Sequence, residues 1–147
     1  MKYIKALTAA TAVTVSFANV ALAEGEAHFV AIHVDENDPQ VMNMALNNAA
    51  NVNAYYLAQG DTVTIEIVTY GPGLNMVLEG KSPVADRISA MSLEIPNISF
   101  AACENTLRSM NAKTGIENVV LAEASVVPSG VVRLITLQEE GYSYIRP

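Results

Sequence analysis

Beyond residue 26 the chain alternates between two rhythms of apolar residues. Short runs rich in β-branched and aromatic residues predict five strands: AHFVAIHV (27–34), VTIEIVTY (63–70), NISFAA (97–102) running on to Cys103, ASVVP (124–128) and YSYI (142–145). Between them the spacing turns helical. Met42, Ala45, Ala49, Val52 and Tyr56 fall at three- and four-residue steps over 40–57, which makes one apolar face. Asp38 fits the N-cap of that helix and Pro39 its first position. Its outer positions carry Asn43, Asn47, Asn51 and Asn53, weak helix formers, so tertiary packing must hold it.

Ser82 and Pro83 are expected to open a second helix with Val84, Ile88 and Met91 inward. Leu107 and Met110 predict helical turns after Cys103, and Thr114-Gly115-Ile116-Glu117 matches a capping box ahead of a further short helix. Ser129 is expected to cap a last helix, with Val131, Leu134, Ile135 and Gln138 along one side and Gly141 as its stop. Strands that alternate with helices in this way predict an α/β fold: a three-layer α/β/α arrangement around a mostly parallel sheet of about five strands.

The first residues follow neither rhythm. Lys2 and Lys5 precede an Ala/Thr/Val-rich stretch that ends in Ala21-Leu22-Ala23, the three parts of a secretory signal peptide. The expected organisation is therefore a signal peptide over 1–23 and a single domain over 24–147, exported to the periplasm and free of the membrane once the signal is cleaved. Removing Lys2 and Lys5 with the signal takes the formal net charge from −7 to −9. So acidic a surface, with no basic cluster, argues against nucleic acid as a partner. An apolar content of 51% in so short a chain leaves surplus apolar surface, which predicts a homo-oligomer.

Right-handed crossovers would set every strand-to-helix loop on one rim of the sheet, where ligands of open α/β sheets bind. That rim is expected to hold His33, Asp35, Asn37 and Asp38, then Tyr70, Gly71, Pro72, Gly73 and Asn75, then Cys103, Glu104 and Asn105, and finally Pro128, Ser129 and Gly130. Cys103 is the single cysteine, so no disulfide can form within the chain. At a strand-to-helix junction, free backbone N–H groups favour its thiolate, the nucleophilic form, while the adjacent Glu104 opposes it. The competing reading is a buried structural cysteine. A metal site is not expected, because His28, His33 and Cys103 lack close ligand spacing and the two histidines point to opposite faces of a strand. YGPG lacks the spacing of a phosphate-binding loop and reads as a turn that positions Asn75. Arg87, Arg108 and Arg133 are expected to be solvated, with Arg108 able to face the rim.

The segments NDP, ALNNAANV, IEIVTYGPGLNM, ISFAACENTLRSMN and VVPSGVVRLITLQEEGYSYIRP together resemble the small single-domain branch of the DsrE/DsrF-like family over the whole of 24–147. The resemblance implies a three-layer α/β/α fold, assembly into trimers or hexamers, and a sulfur-relay role. A persulfide would ride on the cysteine at the position of Cys103, loaded by a sulfur donor protein and unloaded by an acceptor through thiol exchange, with no cofactor required. Asn105, Asn75 and Tyr70 are the expected hydrogen-bond donors to the terminal sulfur, with Gly73 and His33 as further ligand-binding candidates. The alternative is a non-enzymatic, oligomeric periplasmic binding protein in which Cys103 only packs.

Overall fold

The structure, a computed structural model, describes residues 25–147. The expected signal segment and its cleavage site lie outside them. Five strands, β1 (Ala27–Val34), β2 (Thr62–Thr69), β3 (Ile98–Cys103), β4 (Ala124–Val127) and β5 (Ser143–Ile145), pair in parallel in the order β4-β3-β2-β1-β5. Four α-helices connect them: α1 (Pro39–Leu57), α2 (Ala85–Glu94), α3 (Glu104–Thr114) and α4 (Gly130–Glu139). A 3-10 helix, Gly71–Val77, precedes α2. This is the three-layer α/β/α arrangement with an all-parallel sheet.

Strand order dictates which face each helix covers. From β1 through β4 the chain steps steadily toward one edge, so right-handed crossovers put α1, α2 and α3 on the same face. The step from β4 to β5 returns across the whole sheet, and α4 lies on the other face. The two cores match this division. One gathers Ile32, Val34, Ile65, Ile67 and Phe100 with Met42, Leu46, Ile88 and Met91, with Leu107 and Met110 of α3 packed beside it. The other is small: Ala31, Val68 and Ala101 of the sheet meet Leu134 and Leu137 of α4.

Local chemistry explains the element ends. The Asp38 carboxylate accepts from Gln40 N–H at 2.7 Å and caps α1 ahead of Pro39. α2 starts at Ala85, three residues later than Ser82 suggests, because the Ser82 hydroxyl is engaged with the Met76 carbonyl and the Val84 N–H. The capping box at Thr114 is not used. Thr114 is the last residue of α3, where its hydroxyl donates to the Met110 carbonyl, and Gly115 stops the helix at φ +68°. The residues that follow are irregular instead of helical, with Val120 bridging to Leu78 and Asn118 bonded to Asn111.

The inward face of α4 also differs from expectation. Leu134 is inward, but its companions are Gly130 and Leu137, while Val131 and Ile135 are about half exposed. Arg133 is only partly exposed and is paired. Its guanidinium makes a two-point pair with Glu66 of β2, Nε to Oε1 at 2.7 Å and Nη2 to Oε2 at 2.6 Å, which ties α4 to the sheet. Arg87 of α2 donates to the side chains of Asn43 and Asn47 on α1, and Arg108 to that of Asn105.

Candidate functional site

The connections leaving β3 and β4, which are neighbours, go to opposite faces: β3 leads into α3 and β4 into α4. Their carboxyl ends therefore flank the topological switch point, the crevice where open α/β sheets bind ligands. Cys103 is the last residue of β3, paired in register with Val127, the last of β4. The one cysteine of the chain thus stands at the switch point.

Cys103 is also the N-cap of α3. A serine or aspartate at an N-cap offers its oxygen to the N–H groups at the second and third helical positions; here the sulfur faces those of Asn105 and Thr106. The neutral thiol makes no side-chain cap bond. The thiolate is the form these donors serve. Burial pushes the thiol pKa up, but the Thr106 hydroxyl and the backbone N–H groups of Gly130, Thr106 and Asn105 outweigh it and hold the pKa below the ordinary thiol value. Two helix N-termini, those of α3 and α4, converge on one sulfur.

Close approach of α4 depends on Gly130. A Cβ there would stand 2.9 Å from Tyr70 Cδ1 and 3.2 Å from Cys103 Cβ, so any larger residue would push α4 and its N–H away from the sulfur. The same contacts show the Tyr70 ring resting on Gly130 beside Cys103. Together they leave Cys103 only 4% exposed, so the thiol sits at the rim but is covered.

Tyr70 extends the site toward β1. Its ring stacks on that of His33 at 4.5 Å, and His33 Nδ1 lies 2.7 Å from Tyr144 Oη on β5. Side chains alternate along a strand, and the register sends His33, Tyr70 and Cys103 to the α4 face. Burial holds the His33 pKa below its usual value, with Asp35 opposing and Arg146 assisting the drop. Burial and then the Asp35 charge push that of Tyr70 up. Arg146 in turn grips Asp35 at 3.0 Å and Glu36 at 3.0 Å.

The structure thus gathers Cys103, the Asn105 backbone, Tyr70 and His33 along one rim. Gly73 and Asn75 serve their own loop. A Cβ on Gly73 would fall 2.4 Å from the Val34 carbonyl oxygen, so this glycine lets the loop pack on the end of β1. The Asn75 amide donates to the Pro72 carbonyl at 3.1 Å. Thr106, Tyr144 and Arg146 escaped the sequence reading. Thr106 was within reach, three residues after an N-cap cysteine; the other two needed the strand order. Among the described residues no group of three or more His, Cys, Asp or Glu is placed to hold a metal, and no helix is long and apolar enough to cross a membrane.

Two grooves open near the ends of β3 and β4, lined by neighbours of Cys103 but not by Cys103 itself. One, of about 550 Å³, runs between α4 and the exposed face of β3 and β4, past Ala101, Val127 and Pro128. The other, of about 440 Å³, lies between Gly71-Pro72 and the first turns of α3.

No family model matches the chain, and no curated protein matches it. A solved structure does: a protein of unknown function from Methanobacterium thermoautotrophicum aligns with a TM-score of 0.68 and 31% identity, over 82% of this chain and 99% of that one. At that identity and coverage the likeness extends from fold to descent, and the chain belongs to the same family as this archaeal protein.

Proposed function

We propose that the protein is a sulfur-relay protein of the DsrE/DsrF-like type, carrying a persulfide on Cys103. The observation that carries this reading is the convergence of two helix N-termini and the Thr106 hydroxyl on a sulfur at the switch point. A thiolate so held attacks the outer sulfur of a donor persulfide, R–S–SH. The donor S–S bond breaks, R–S⁻ leaves, and Cys103–S–SH forms. The exchange needs neither oxidant nor cofactor. A chain with one cysteine cannot discharge the persulfide by forming an internal disulfide. The donor and acceptor are other thiol-bearing proteins, and the signal-like stretch over 1–23 supports an exchange in the periplasm.

Assembly into a trimer or hexamer belongs to the same proposal. It is supported by Val131, Val132 and Ile135, half-exposed on α4, with Val132 lining the larger groove.

The test is intact mass spectrometry of protein isolated from the periplasm, before and after incubation with inorganic polysulfide. One added sulfur atom on the wild type and none on Cys103→Ser is the expected result. The 4% exposure of Cys103 favours a second reading, a non-enzymatic binding protein with a packed cysteine. Alkylation of the folded protein separates the two: a thiol that reacts only after denaturation would leave the second reading standing.

A further inference from the structure

Among the described residues a single buried side-chain polar atom lacks a partner, Nε2 of His33. Buried polar groups are nearly always paired, so an orphan needs a reason. The residue is only 4% exposed and its ring is fixed on two sides, by the Tyr70 stack at 4.5 Å and by Tyr144 Oη at 2.7 Å from Nδ1. Its nearest charged neighbour is Asp35, whose Oδ2 is 3.9 Å from Nε2, too far for a hydrogen bond but close enough to favour a proton there. Asp35 is held in place by Arg146.

Tyr70 links this nitrogen to the thiol. Its ring stacks on His33 and touches Gly130 next to Cys103, so one side chain covers both groups. A displacement of Tyr70 that admits a substrate to the sulfur uncovers the imidazole in the same movement.

We propose that His33 is the proton acceptor for the incoming thiol when Cys103 delivers its sulfur. This inference rests on the persulfide reading and names its acceptor class, a thiol that arrives protonated. With Nδ1–H donating to Tyr144 Oη, the Nε2 lone pair takes the proton of R–SH. The resulting R–S⁻ attacks the outer sulfur of Cys103–S–SH, the Cys103 S–S bond breaks, and R–S–SH departs. Cys103 is left as the thiolate in its N–H cradle. No electron is gained or lost overall, because the sulfane sulfur moves with its oxidation state. The imidazolium meets Asp35 and then returns its proton to water. The charged and titratable groups facing the ring are Asp35, Arg146, Tyr70 and Tyr144, and burial keeps the imidazole neutral at neutral pH.

The experiment loads the full-length exported protein with inorganic polysulfide and confirms one added sulfur by intact mass. Delivery to 2-mercaptoethanol, a small neutral thiol, is then followed from pH 6 to about pH 9 for wild type and His33→Gln. Glutamine retains a hydrogen-bonding head but cannot take a proton. An alkyl thiol with a pKa of about 8.5 or higher is only a few per cent ionised at pH 7. The wild-type rate is expected to be nearly flat around neutrality. The variant should be about 10-fold slower at pH 7, climb with pH, and meet the wild type near pH 9. Superimposed profiles for two fully loaded proteins overturn the role of His33 and leave the persulfide reading intact; absence of loading in wild type removes both. Should His33→Gln lack the native circular dichroism spectrum, Tyr144→Phe takes its place, since it frees Nδ1 and lets the ring turn. A loss of about 3-fold or more at pH 7, recovered by pH 9, supports the proposal, and an unchanged profile overturns it.

Discussion

The two faces of the sheet are built to different standards. Under α1, α2 and α3 the interior is thick and apolar, and Ile32, Leu46, Ile67 and Ile88 are wholly buried there. Under α4 the apolar core shrinks to five residues, and the sheet presents Glu66, Tyr70, His33 and Cys103 on that side. One helix covers what three cover opposite. The thick face supplies stability through area removed from water; the thin face tolerates buried polar groups, an orphaned nitrogen and an open groove. Local stability is not uniform in folded proteins, and sites are drawn from the weaker parts.

The largest expected effect breaks this comparison if it fails. Leu46→Ala on α1 empties space in the thick core and should cost about 3–5 kcal/mol, whereas Leu134→Ala on α4 removes contacts from a core of only five residues and should cost about 2 kcal/mol. Urea titration of both variants at one pH measures the difference. Equal losses would mean that the faces share one cooperative core.

A smaller effect belongs to the ion pair that pins α4. Arg133→Met leaves the Glu66 carboxylate buried without its partner and should cost about 1–3 kcal/mol, toward the low end because the Arg133 side chain is 32% exposed. The double variant Glu66→Met, Arg133→Met should recover most of the loss, since removing both charges leaves nothing unpaired. A double variant no more stable than Arg133→Met would show that the pair positions α4 rather than merely neutralising a charge.

The thick face was also the legible one. β1 runs over the predicted residues 27–34, and Met42, Ala45 and Ala49 are buried as their spacing requires. Periodicity works where a helix has one wet side and one dry side. It misled on α4 because Val131, Leu134, Ile135 and Leu137 make that helix apolar around much of its circumference, so more than one stripe could face inward. The rim residues Cys103, Tyr70 and His33 followed from strand ends alone. Tyr144 and Arg146 did not, because only the β4-to-β5 crossover brings the last strand beside β1. Glu66, midway along an apolar strand, gave no sign that Arg133, 67 residues later, would answer it.

The finest effect concerns Thr106, which sharpens what the thin face does for its cysteine. The Gly71 N–H donates to Thr106 Oγ1 at 3.0 Å, which occupies one lone pair of the oxygen and leaves the hydroxyl hydrogen free to turn to the sulfur. That hydroxyl opposes the effect of burial together with three backbone N–H groups. Thr106→Val keeps the shape and removes the donor, so the Cys103 pKa should rise and the thiolate fraction at neutral pH should fall. For one hydrogen bond worth about 0.6–1.4 kcal/mol, alkylation at pH 7 slows by about 3- to 10-fold. The rates converge at a pH high enough to ionise the thiol in both proteins. Thr106→Ser restores the donor and should restore the rate. If serine and valine slow the reaction equally, the methyl group of Thr106 matters and the hydroxyl does not, and the cradle consists of backbone alone.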